Sequence, residues 1–161
     1  ESAPFSGNSA QPPHLRVYPT AQVLGTIPSW DWHRARVDSA RYGAVYHFAQ
    51  RADALERLGA TGRIAHLAAA LDDIPGVGPW SVAEALQGFC GHPDAVSVGD
   101  YHLAHTVGFA FTGERTDDAG MLRLLAPYAG HRQRVVRLIQ EAGIRKPRYG
   151  ARISIPDYRD F

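Results

Sequence analysis

Between Asp38 and Gly59 the apolar side chains recur at three- and four-residue steps. Val45, Phe48, Ala49, Ala52 and Leu55 fall on one face of a helix. Asp38 precedes the run as a plausible N-cap, and Gly59 marks its end. The same period returns from Thr61 to Leu71 through Ile64, Leu67, Ala68 and Leu71. A third helix is predicted over Pro79–Phe89 and a fourth over Tyr101–Phe111. Thr116 is the expected cap of a fifth, with Asp117 and Asp118 in its first turn, where carboxylates meet the positive helix end. Gly130 precedes a sixth, which runs through Val135, Val136, Leu138 and Ile139 and ends at Gly143. Two short stretches, residues 14–19 and Ala95–Val98, read as extended. The predicted fold class is all-α. Residues 1–13, rich in Ser, Gly, Asn and Pro, read as a linker-like N-terminus, and residues 14–161 as one domain. A length of 161 residues suits a single domain with a sizeable core. The tail from Lys146 to Phe161, with Pro147, Gly150 and Pro156, is expected to be irregular.

One stretch breaks the helical periodicity in an informative way. In Ile74–Leu86, IPGVGPWSVAEAL, Gly76 and Gly78 flank a single apolar residue, so both are free to take positive φ. Pro79 follows at the first position of a helix, where its missing N–H costs nothing. The expected result is a tight connection that points unpaired N–H groups and a positive helix end outward. Such a turn can hold a phosphate without reading sequence, and it can equally be a buried helix connection. Twenty residues beyond Trp80, after the apolar run Ala95–Val98 and Gly99, comes Asp100, the expected N-cap of the fourth helix. A capping carboxylate is held rigidly and kept ionised by the helix end, a suitable geometry for a group that faces a developing cation.

Charge and composition narrow the chemistry. The chain carries 17 basic and 16 acidic side chains, for a formal net charge of +1. The balance is uneven along its length. From Arg63 to Arg115 acids dominate, whereas from Met121 to Phe161 eight Arg and Lys146 face Glu141, Asp157 and Asp160. That C-terminal quarter forms either a basic face toward a nucleic-acid backbone or a set of solvated helix surfaces. Lys146 is the only Lys, so a mechanism built on a Lys amine has one candidate. Cys90 is the only Cys, which excludes an intrachain disulfide, a Cys-based zinc site and a four-Cys cluster; it is expected to be a small buried residue. No apolar run approaches the roughly 20 residues of a membrane helix, and no signal peptide is visible. Asp100, His102 and His105 share the spacing of metal ligands, but no further ligand clusters with them, and no metal is expected. Trp30 and Trp32 are expected to make core contacts, with a pocket wall as the alternative. Glu84, one turn after Trp80, is expected on the helix surface, within reach of a pocket mouth.

Together, Ile-Pro-Gly-Val-Gly-Pro-Trp-Ser at residues 74–81 and Val-Gly-Asp ending at Asp100 resemble the helix-hairpin-helix DNA glycosylase superfamily. Within it the chain is most similar to the bacterial 3-methyladenine DNA glycosylase II branch. That branch has Trp where Trp80 stands and an Asp-Tyr pair where Asp100 and Tyr101 stand. The segments Trp32–Arg41 and Pro127–Ile139 resemble stretches of the same branch. The resemblance implies base-excision repair of double-stranded DNA in a bacterial cytoplasm, at the nucleoid. A damaged nucleotide is flipped out and the bond between base and sugar is cleaved. It further implies that Gly76, Val77, Gly78, Pro79 and Ser81 grip the strand phosphate beside the lesion, with backbone carbonyls able to hold a monovalent cation, and with no other cofactor. Asp100 would stabilise the oxocarbenium-like sugar and position water. Trp80 and Tyr101 would line the base pocket, with a packed core side chain as the alternative for Tyr101. Arg132, Arg134 and Arg137 follow Gly130 and either meet phosphates near the helix start or are ordinary surface charge. Relatives that also cut the strand carry Lys where Trp80 stands, so the implied enzyme is monofunctional.

The resemblance also implies a β-rich domain and opening helices ahead of His14, including a helix with a polar Gln-containing motif. The expectation is therefore a C-terminal portion whose N-terminal half has been removed, is supplied by a second chain, or is lacking in a naturally short form. The rival readings are a non-catalytic DNA-binding fragment and a helical interaction module that uses the hairpin only as a turn.

Overall fold

A computed structural model describes residues 17–144, and every regular element within them is helical. The linker-like residues 1–13 and the tail expected to be irregular lie outside the described residues, as does Lys146. Two short helices, α1 (Ala21–Thr26) and α2 (Ser29–Arg34), precede the long α3 (Ser39–Ala60). α4 (Ile64–Asp72) and α5 (Pro79–Cys90) follow. The chain then passes through an irregular stretch to α6 (Leu103–Thr112), α7 (Asp118–Leu125), a 3-10 turn (Ala126–Tyr128) and α8 (Arg132–Glu141). The six helices expected from periodicity are α3–α8; α1 and α2 were too short to carry a period.

Local chemistry explains the boundaries. Asp38 caps α3 as expected: its carboxylate accepts from the Arg41 N–H at 2.9 Å, and that bond holds its pKa below the usual value. At the far end the Thr61 hydroxyl donates to the Arg57 carbonyl at 2.9 Å, and Gly62 turns the chain at φ +68. Two starts differ from expectation. α6 begins at Leu103 rather than Tyr101, because Tyr101 and His102 form a turn that Asp100 spans from outside. α7 is capped by Asp117, not Thr116, through the Gly120 N–H at 2.7 Å.

The helices pack as two groups. In the first, α3 lies against α1, α2 and α4, and α4 against α5. Leu55 of α3, Leu67 and Leu71 of α4, Ile74 and Leu86 form its buried centre. In the second, α6 packs on α7 and α8 around Val96, Leu103, Val107, Met121, Leu125 and Val136. Gly108 permits a close approach of backbone to backbone there. A Cβ at that position would come within 2.8 Å of the Glu114 carbonyl oxygen. Residues 91–102 run between the groups: Ala95 packs on the first core and Val96 belongs to the second. Three apolar expectations fail on exposure in the helices. Phe48, placed on the apolar face of α3, is exposed. Leu138, placed on the inner face of α8, is 69% exposed. Cys90, expected buried, is exposed at the end of α5, its thiol donating to the Leu86 carbonyl.

Candidate functional site

The turn between α4 and α5 is tight, as the sequence predicts, but its two glycines do different work. The Val77 N–H donates to the Ile74 carbonyl at 2.9 Å, and Ile74 is buried beneath. Gly76 sits at φ +85 against α3, where a Cβ would stand 3.2 Å from that of Ala44. Gly78 is instead extended at φ −125, so the expected left-handed conformation is absent there. Its role is as the N-cap of α5, with Pro79 first in the helix and no side chain capping the end. A Cβ at Gly78 would meet nothing within 4 Å, so the space before this helix end is open. Trp80 is 45% exposed in the first turn, and Ser81 is half-buried beside it.

Asp100 lies on a cleft of about 730 Å³ whose walls come from α5, the 97–103 stretch and α8. Its Oδ1 accepts from the N–H groups of both His102 and Leu103 at 2.8 Å. The capping role holds, exerted from two residues further upstream than expected. The Asp100 N–H donates to the Ser97 carbonyl at 3.2 Å. Gly99, at φ +90, donates its N–H to Asp118 at 3.1 Å. The carboxylate is thus fixed by main-chain donors on one oxygen, a geometry that holds it in one orientation.

The structure separates residues that the resemblance groups together. Trp80 and Tyr101 are not among the residues lining the cleft with Asp100. Tyr101 is 84% exposed, its ring edge-on to His102 at a centroid distance of 4.7 Å. Arg132 is turned inward, donating from Nε and from its own backbone N–H to Asp94 Oδ1 at 2.8 and 2.9 Å, with Nη2 on Oδ2. Hydrogen bonding by Arg132 is the main cause that lowers the Asp94 carboxyl to about 2. A guanidinium so neutralised offers little to a phosphate. Arg137 of the same helix reaches the cleft wall instead. The His102 and His105 side chains diverge: His102 lines the cleft, while His105 Nδ1 lies 2.8 Å from the Thr116 carbonyl oxygen. Among the described residues no three His, Cys, Asp or Glu are grouped to hold a metal ion. Trp30 is 66% exposed rather than packed in the core. Trp32 lies against Tyr42 at 5.8 Å, its indole N–H buried without a partner.

Glu84, expected on the helix surface within reach of a pocket mouth, is exposed and lines the cleft. Sequence reasoning missed the rest of the polar wall: Gln87 of α5, Ser97, and Gln133 of α8 line it with Asp100. The available signal was Ser97, a polar residue set inside the apolar run Ala95–Val98, and it is buried. Among the described residues no helix is long and apolar enough to cross a membrane. Searches of family models, curated proteins and solved structures found no match to the chain.

Proposed function

We propose that the chain is the C-terminal part of a helix-hairpin-helix DNA glycosylase that releases alkylated bases and leaves an abasic site. The observation that carries this reading is Asp100: a carboxylate pinned by two main-chain N–H groups on a cleft of about 730 Å³. Cleavage breaks the bond from C1′ to the base nitrogen, and the electron pair leaves with the base. Positive charge then builds on the sugar, and a fixed carboxylate lowers that barrier. Water captures C1′ and gives up a proton. An alkylated purine is already cationic, so it leaves without a strong general acid. Flipping costs a few kcal/mol, least for a damaged pair. The uncapped α5 end, from Gly76 to Ser81, receives the strand phosphate. Trp80, half exposed at that end, offers a stacking face worth roughly 1–2 kcal/mol for an electron-poor base. A monovalent cation at the turn would draw only on backbone carbonyls, and those of Ile74 and Gly78 already accept from Val77 and Val82. With Trp80 in place of a Lys, no Schiff base forms in the hairpin and the strand is left intact.

The test is Asp100→Asn, assayed for release of methylated bases from duplex DNA. Turnover is expected to fall about a hundredfold or more. Undiminished turnover refutes the role of Asp100. A second reading is favoured by the separation of Trp80 and Tyr101 from the cleft. On that reading the chain is a DNA-binding helical module with salt-sensitive affinity and no base release even with Asp100 intact.

A further inference from the structure

A chain of hydrogen bonds runs through the cleft wall, and its polarity can be worked out from one fixed point. The Ala95 carbonyl can only accept, so the Gln87 atom 2.9 Å from it is the amide nitrogen. The same NH₂ group lies 2.9 Å from Ser97 Oγ, which therefore accepts from it. Gln87 Oε1 must then be an acceptor, and Gln133 donates its NH₂ to it at 2.7 Å. This leaves Gln133 Oε1 facing inward, buried and unpartnered. Ser97 has one hydroxyl hydrogen, and it points to Glu84 Oε1, 2.5 Å away. Both Gln87 amide hydrogens and the Ser97 hydroxyl hydrogen are committed, and the chain ends on the Glu84 carboxylate.

Ser97 also holds Asp100. Its backbone carbonyl accepts the Asp100 N–H, so the residue that Glu84 fixes through the side chain fixes Asp100 through the main chain. We propose that Glu84 is a positioning residue for Asp100, acting through Ser97. Glu84 anchors the hydroxyl, the hydroxyl anchors the 97–100 turn, and the turn sets where the Asp100 carboxylate stands on the cleft. The proposal rests on the reading of Asp100 as the carboxylate that faces the sugar. Its structural half stands on the bonds alone. A displacement of about 1 Å at such a group can cost a hundredfold in rate.

The experiment compares the wild type with Glu84→Ala, Glu84→Gln, Ser97→Ala and the Glu84→Ala/Ser97→Ala double variant. Two readouts are taken: release of methylated base from duplex DNA, and amide hydrogen exchange at Asp100, His102 and Leu103. Ala is a good helix former, so α5 tolerates Glu84→Ala. In Glu84→Ala, kcat is expected to fall about ten- to hundredfold and exchange at the three amides to rise. Glu84→Gln keeps an oxygen that accepts from Ser97 and restores most of the rate. The double variant falls no further than the worse single one, because both break the same linkage. Wild-type rate and wild-type exchange in Glu84→Ala overturn the proposal. So does a Glu84→Gln variant as slow as Glu84→Ala, since that marks a chemical rather than a positioning role. A wild-type protein that releases no base sinks the glycosylase reading alone, and the exchange measurement then decides the linkage between Glu84 and Asp100.

Discussion

In the α6–α8 group Val107, Met121, Leu125 and Val136 lose essentially all contact with solvent; among the described residues of the α1–α5 group only Ile74 is as deep among the large side chains. The difference lies in closure rather than composition. α6, α7 and α8 surround a common centre, and the 3-10 turn contacts α7 and α8. α3 is longer than its neighbours. Tyr46 and Phe48 on α3 and Trp30 on α2 remain exposed. A side chain at the centre of the second group therefore carries more of the fold than one of similar size on α3. The cleft sits where the two groups meet, so Asp100 is held by the better-packed side and faced by α5 from the other.

The largest expected effect breaks this comparison if it fails. Met121→Ala leaves a cavity in a closed core and is expected to cost about 3 kcal/mol in denaturant unfolding. Phe48→Ala removes a larger side chain from a partly exposed face of α3 and is expected to cost less than about 1 kcal/mol. Equal losses would mean that the two groups are equally closed.

A smaller effect tests how α8 is tied to the stretch between the groups. The Arg132 guanidinium holds the Asp94 carboxyl at about 2, below its ordinary 3.8. A carboxyl whose folded pKa is depressed stabilises the fold above its unfolded value and loses that contribution as pH falls toward the folded one. The pair's stabilisation is thus complete above about pH 4 and gone near pH 2. Because Arg132 is partly exposed, solvent screening leaves about 1–2 kcal/mol. Asp94→Asn should remove that amount at neutral pH and flatten the acid limb of a stability curve between pH 4 and 2. An unchanged acid limb would show that the pair contributes nothing.

Much of the architecture was legible because helix periodicity and capping are local. Asp38, Asp100 and the Gly130–Gly143 segment fall within one or two residues of their expected places. Periodicity identifies an apolar face but not what covers it, so Phe48 and Leu138 were legible as helical and not as exposed. The site was less legible, for a different reason. The Arg132–Asp94 pair spans 38 residues, and the Gln133–Gln87 bond spans 46. No local spacing rule reaches that far, which is why neither the inward pairing of Arg132 nor the place of Gln133 in the cleft wall is legible in the sequence.

The smallest effect separates two glycines that the sequence treats alike, and it sharpens where the α1–α5 group is tightly built. Gly76 takes φ +85 and rests on α3, with the Ala44 Cβ 3.2 Å from where its own would be. Gly76→Ala forces a left-handed conformation on a residue with a Cβ and presses on α3; about 1–2 kcal/mol of lost stability is expected. Gly78 is extended at φ −125 with open space around it, so Gly78→Ala is expected to change stability by less than about 0.5 kcal/mol. If the open space before α5 receives a phosphate, the second variant should fold normally and still bind DNA less well. The added methyl group would stand where the backbone must approach the strand. Unaltered DNA affinity in Gly78→Ala would place the phosphate elsewhere, while a large loss of stability would show that this end of α5 is packed rather than open.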